Sequence, residues 1–288
     1  MRTVERMSEF RPDRLATLYC FRPARRLLRR HGRGIPILMY HSISNAPELD
    51  NRPYYRTCTR PEVFRRQIEF LHRNGYTALT LSAAARALAL AEEPSGRLVA
   101  LTFDDGYADF FSEAYPVLNE FGFAATVFLP TAYIGAEQRQ FNGIGCLTWS
   151  QIRELHQSGV EFGSHTVSHP QLADLPMSSA EQELRASKMT IEENIGAAVA
   201  SFGYPYAFPE HRHAFVAALR TSLEDCGYRF GVCTMIGTAN RNSDPLFLER
   251  LPVNSLDDEN LLAAKLEGAY DWLRFPQRLS KVLRSGRQ

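Results

Sequence analysis

Long apolar runs are missing from this 288-residue chain; none approaches the roughly 18 to 20 residues that a bilayer-spanning helix needs. That excludes an integral helical membrane protein. A secretory leader is not recognisable either, because Leu15–Phe21 is short and is broken by Thr17 and Cys20. The chain is therefore expected in the cytoplasm. Cysteines are few and scattered, at positions 20, 58, 146, 226 and 233, with no C-x-x-C pair. An odd, dispersed set does not make a disulfide framework and fits a reducing compartment with buried thiols. Charge of one sign is also lacking. A net +1 argues against nucleic acid as a main partner.

That neutrality conceals an asymmetry. Residues 1–34 carry ten Arg against Glu5, Glu9 and Asp13, a net +7, which leaves about −6 for the remainder. Pro12 and Pro23 interrupt any amphipathic helix there, so a flexible, solvated basic tail is expected over 1–34. At most it makes weak contact with an anionic membrane surface, placing the protein at the inner membrane face. With 44% hydrophobic residues, the rest can bury a sizeable core, and residues 35–288 read as one domain.

Within that domain short apolar runs alternate with helical patterns, as in an α/β fold with a parallel sheet. Ile35–Tyr40, Leu98–Phe103, Ala124–Leu129, Val160–Gly163, Ala198–Phe202 and Phe230–Cys233 read as strands. Pro61 opens a helix in which Phe64, Ile68 and Leu71 share a face, and Asn74-Gly75 ends it. Ser178-Ser179-Ala180-Glu181 has the form of a capping box, and Ser255-x-x-Asp258 precedes the last helix expected.

Chemistry concentrates after two of these runs. Leu98–Phe103 delivers Asp104-Asp105 onto Gly106, and 60 residues beyond Asp105 the chain presents His165-Thr166-Val167-Ser168-His169. A lone Asp-Asp-Gly is ordinarily a turn, and a lone His-x-x-x-His is ordinarily surface. Together, each after a strand, they supply two imidazoles and a carboxylate for a divalent first-row ion. The second carboxylate is left free to act as a base.

These segments resemble the polysaccharide deacetylases, the NodB-homology group that forms carbohydrate esterase family 4. The resemblance runs from about Ile35 to about Leu261. It is carried by Thr102–Gly106, by His165–His169 and by Phe202-Gly203-Tyr204-Pro205-Tyr206. Pro36–His41 and Cys226-Gly227-Tyr228 agree with it. It implies an irregular (β/α)7-type barrel with its site at the C-terminal ends of the strands. It also implies a metal-dependent hydrolase that removes N-acetyl groups from an amino sugar. In the absence of an appended wall-binding module, the sugar is expected in a glycan, lipid-linked or nucleotide-linked intermediate of surface polysaccharide synthesis. A hydrolase of a non-sugar amide and a weakly catalytic sugar-binding protein are the rival readings.

The resemblance assigns Asp105, His165 and His169 to one divalent ion, zinc first, with nickel or cobalt as alternatives. Asp104 matches the base. The backbone N–H of Tyr206, set by Pro205, matches an oxyanion donor. Two departures stand out. Many relatives carry an arginine two residues before the Pro-Tyr pair, where this chain has Gly203; a branch with Phe-x-Tyr-Pro-Tyr shares the lack. Arg250 could supply that charge on the substrate and oxyanion side, or be a surface arginine. Many relatives also end on a histidine that protonates the leaving amine, whereas here no histidine follows His213. His41, at the end of the first strand, is the substitute by position, against a purely structural role.

Overall fold

The computed structural model describes residues 11–27, 34–46, 56–90 and 96–285. Eight parallel strands organise it: β1 (Ile37–Tyr40), β2 (Tyr76–Leu79), β3 (Arg97–Phe103), β4 (Thr126–Leu129), β5 (Glu161–Ser164), β6 (Ser201–Gly203), β7 (Phe230–Ile236) and β8 (Leu248–Pro252). Seven close on themselves in the order β1-β8-β7-β6-β5-β4-β3 and back to β1. β2 pairs with β3 outside the ring. The result is a seven-stranded parallel barrel of the expected irregular kind. Its helices are α1 (Pro12–Ala16), α2 (Arg22–Leu27), α3 (Pro61–Arg73), α4 (Leu81–Ala89), α5 (Tyr115–Glu120), α6 (Trp149–Gln157), α7 (Met177–Ile195), α8 (His213–Asp225), α9 (Glu259–Leu266) and α10 (Arg274–Ser285).

Local chemistry explains the elements that hold the site. β3 is apolar almost throughout because both its faces are covered, and Val99–Phe103 is buried without a break. Its one polar residue in that run, Thr102, is satisfied by donating to the Leu38 carbonyl at 2.8 Å. α3 begins with Pro61, where the missing N–H costs nothing, and buries Phe64, Ile68 and Leu71. Tyr40, Phe64, Phe103 and Phe110 then form one aromatic group beneath the site, with successive centroids 4.8–5.3 Å apart. α6 is opened by a reciprocal Thr148–Gln151 cap.

Three expectations are corrected. The first concerns the basic segment: residues 12–27 are helical, with a wide π turn over Thr17–Phe21, and they dock on the protein. Pro12 sits in the first turn, and the π turn lets Arg22 N–H bond Thr17 just before Pro23. Docking is specified by distant partners. Arg14 pairs with Asp258, Arg22 and Arg26 with Glu267, and Phe21 stacks on Trp272 at 4.6 Å. Residues 1–10 and 28–33 of the expected tail lie outside the described residues. Secondly, α7 starts at Met177 behind Pro176, so the Ser178 box does not cap it. Thirdly, α9 is capped by Asp258 and not by Ser255, and a further helix, α10, follows it.

Candidate metal centre and its carboxylates

Adjacent carboxylates are turned to opposite tasks by one backbone reversal. The Asp104 N–H still bonds the Tyr40 carbonyl at 3.0 Å, in register with the barrel. Asp105 swings to φ +70°. Gly106 must follow without a side chain, since a Cβ there would meet Leu129 Cδ2 at 2.9 Å. Beyond β5, His165 N–H donates to the Leu129 carbonyl at 2.9 Å, and the loop then turns through Thr166 at φ +69° and His169 at φ +56°. Glu183 of α7 holds that loop, accepting from the N–H groups of Val167 and Ser168 at 2.7 and 2.9 Å. Four of the five described non-glycine residues with positive φ are Asp105, Thr166, His169 and Tyr206. Such conformations cost roughly 1–3 kcal/mol each, so their gathering in one place marks a site built against local preference.

Asp105, His165 and His169 converge, each offering an atom within 4.8 Å of the others. His165 Nε2 and His169 Nε2 stand 3.6 and 3.3 Å from Asp105 Oδ1. That oxygen is buried and has no hydrogen-bond partner among the described residues. The Nδ1 atom of His165 lies 2.7 Å from the Gly203 carbonyl, which fixes Nδ1 as the protonated nitrogen and leaves the Nε2 lone pair facing Asp105. Burial pushes His165 below its ordinary pKa and His169 to about 3, the direction that favours the neutral imidazole in each. Burial also raises Asp105. Two neutral nitrogens and an unsatisfied buried carboxylate oxygen are the donor set that a divalent ion completes, and the residues fit one. Separately, a cavity of about 640 Å³ lies between the N-terminal helices and the start of β3, lined by Arg22, Tyr76, Arg97 and Glu267. It contains none of this chemistry.

Asp104 is equally buried but fully matched. Arg250 grips it with two parallel bonds, Nη1 to Oδ1 at 2.6 Å and Nη2 to Oδ2 at 2.8 Å. Burial alone would raise the Asp104 carboxyl, but the Arg250 guanidinium outweighs it and holds it well below the usual range. His41 Nε2 stands 3.8 Å from Asp104 Oδ2, and its side chain is partly open. Tyr206 is half exposed, with its ring against His169 at 4.6 Å, while Phe141 stands 4.9 Å from His169 on the hairpin Gln140–Gly145. Among the described residues the Tyr206 N–H has no hydrogen-bond partner, and its carbonyl accepts from Thr234 Oγ1 at 3.0 Å.

Comparison with known proteins agrees with this geometry. A family model described as polysaccharide deacetylase matches residues 91–231. The Bacillus subtilis protein YxkH, itself grouped with those enzymes by name, is 33% identical over 220 residues, covering 76% of this chain and 71% of that protein. The chain belongs to the polysaccharide deacetylase family. It is a hydrolase acting on amide bonds, and members of the family are in general metal-dependent. The chain is also similar to a Staphylococcus aureus poly-β-1,6-N-acetyl-D-glucosamine N-deacetylase, 22% identical over 245 residues, 78% of this chain and 80% of that one. The Streptococcus pyogenes deacetylase PplD, solved with acetate, superposes with a TM-score of 0.70 at 26% identity, covering 81% of this chain and 98% of that one.

In this deacetylase the missing arginine has a spatial explanation. A Cβ at Gly203 would lie 2.8 Å from Phe128 Cγ and 3.1 Å from His165 Nδ1, so no side chain fits there. Arg250 arrives instead from β8, its guanidinium 5.9 Å from the Phe128 ring centroid. This refines the sequence reading: Arg250 is not on the surface but buried, and it is paired with Asp104. Glu183 was not singled out from sequence. Its only signal was a helix starting soon after the second histidine.

Proposed function

We propose that this polysaccharide deacetylase removes the acetyl group from an N-acetylated amino sugar, carried by a lipid- or nucleotide-linked intermediate or a short glycan of surface polysaccharide synthesis. The observation that carries the reading is the buried Asp105–His165–His169 set with its open carboxylate oxygen, beside a separately clamped Asp104. We assign one divalent ion to that set, zinc first, with nickel or cobalt as alternatives. When bound, it would polarise the acetyl carbonyl and lower the pKa of a water toward about 7.

The remaining work falls to the chain. Asp104 takes the proton of the attacking water, and Arg250 fixes both its oxygens while that happens. The Tyr206 N–H meets the developing oxyanion, with Pro205 fixing the φ that precedes it. An amine leaves only once protonated. We assign that protonation to His41, whose Nε2 lies 3.8 Å from Asp104 Oδ2. The buried thiols of Cys146, Cys226 and Cys233, in no disulfide among the described residues, support a reducing, cytoplasmic setting.

A screen for acetate release over UDP-N-acetyl sugars, lipid-linked N-acetyl sugars and glycan fragments tests the substrate. Release only from long extracellular polymers, or only from non-sugar amides, would reject it. Elemental analysis tests the ion: about one Zn, Ni or Co per chain is expected, falling to background in the His165→Ala, His169→Ala double variant.

A further inference from the structure

Helix α10 is docked the wrong way round for a soluble surface. Arg274, Gln277 and Lys281 share one side, at i, i+3 and i+7; Gln277 and Lys281 are turned toward the protein, and the exposed Arg274 reaches back to Glu249. Gln277 Oε1 accepts from Ile236 N–H at 3.1 Å and its Nε2 donates to the Thr234 carbonyl at 2.8 Å. Arg274 donates to Glu249 at 2.7 Å, and Lys281 Nζ stands 4.0 Å from Glu210 Oε1. Phe275, Leu279 and Val282, at i, i+4 and i+7, form the other stripe and are 76%, 51% and 45% exposed. An amphipathic helix on a globular protein normally buries such a stripe.

Charge indicates what meets it. Residues 274–288 contain five basic residues and no acid. Setting Glu249 and Glu210 against them still leaves a net +3. Exposed Arg278 borders the apolar stripe. An outward apolar face bordered by Arg278 suits an anionic lipid surface, into which the stripe sinks while the guanidinium meets headgroups. The N-terminal arginines serve this less well, because Arg11, Arg14, Arg22 and Arg26 are already paired with acids of the protein.

We infer that α10 is a docking surface for anionic membranes, made by Phe275, Leu279 and Val282 with Arg278. Thr234 connects it to the site: its carbonyl accepts from Gln277, and its hydroxyl donates to the Tyr206 carbonyl. A docked helix thus holds the Tyr206 loop beside the lipid surface, where a membrane-carried sugar would be met. That last link rests on the deacetylase reading; the docking does not.

The test is co-sedimentation of the full chain with vesicles of phosphatidylglycerol and phosphatidylcholine, against phosphatidylcholine alone. The wild type is expected to bind the anionic vesicles and to be released by salt. Phe275→Ser with Leu279→Ser, and separately Arg278→Glu, are expected to weaken binding roughly tenfold or more. Both variants should release acetate from a soluble substrate at the wild-type rate, so failure of the docking and failure of the deacetylase reading are seen in different assays. Wild-type protein left in the supernatant, or Arg278→Glu bound as well as wild type, overturns the inference. So does a wild-type dimer that the double variant loses, since a second copy would then cover the stripe.

Discussion

Where the N-terminal helices meet α9, Arg11, Asp13, Asp257, Lys265 and Tyr270 are packed together with their polar atoms matched. Arg11 bonds Asp13, Asp257 and Tyr270; Lys265 bonds Asp257 at 2.8 Å and the Pro252 carbonyl. Beyond β3 and β5 the burial is as deep, yet among the described residues Asp105 Oδ1 and His169 Nδ1 have no hydrogen-bond partner and the backbone is held at positive φ. Folding alone favours the first arrangement, because a buried polar atom without a hydrogen bond is costly. The second is the arrangement expected of a site that a bound ion completes. Asp104 stands between the two: buried in the site, yet clamped as tightly as Asp257 at the junction.

The largest effect that would sharpen the contrast is on turnover. Asp104→Asn should keep the metal and lose roughly 10²- to 10⁴-fold in rate, the usual contribution of a base. Loss of metal from Asp104→Asn with retention in Asp105→Asn would exchange the two roles. Next comes Arg250→Met, which strands a buried carboxylate and should cost about 3–5 kcal/mol in denaturant unfolding. A cost below about 1 kcal/mol, the range of an exposed pair, would mean that the clamp is not formed in solution.

A smaller and more selective effect is expected at His41. If it protonates the amine, His41→Ala slows amide substrates far more than activated acetyl esters, whose leaving groups depart with little protonation. Equal loss on both, together with a lowered Tm, would make His41 structural. The smallest effect concerns the junction. Burial would raise Glu267, but hydrogen bonds from Arg22 and Arg26 bring it to about 2. Its contribution is therefore present above about 4.5 and lost as pH falls through about 2, the sense for a depressed carboxyl. Limited proteolysis should show residues 11–27 opening across that window, and Glu267→Gln should open them already at neutral pH. Unchanged cleavage would show that Arg11, Arg14 and the stacking of Phe21 on Trp272 hold the segment without Glu267.

What could be read from sequence was local. β3 and β4 announce themselves as apolar runs, and the Asp and His pairs lie within a few residues of strand ends. What could not be read depends on distant partners. β8 closes the barrel, yet Leu248-Glu249-Arg250-Leu251-Pro252 does not look like a buried strand, because Glu249 and Arg250 are satisfied by Arg274 and Asp104. The tail looked solvated because its arginines were visible and the acids that pair with Arg14, Arg22 and Arg26, more than 240 residues on, were not. Ser178–Glu181 has the letters of a capping box, but Glu181 pairs with Arg185 along the helix instead.

Gly203 has a consequence for how such a site can change over generations. The cation that holds Asp104 can be supplied from β6 or from β8, but the packing of Phe128 and His165 leaves no volume for a side chain at 203. Introducing arginine there first would displace a histidine of the triad; removing Arg250 first would strand the carboxylate. Neither single step is neutral. Passing from one layout to the other needs room made at Phe128 and His165 before either arginine moves.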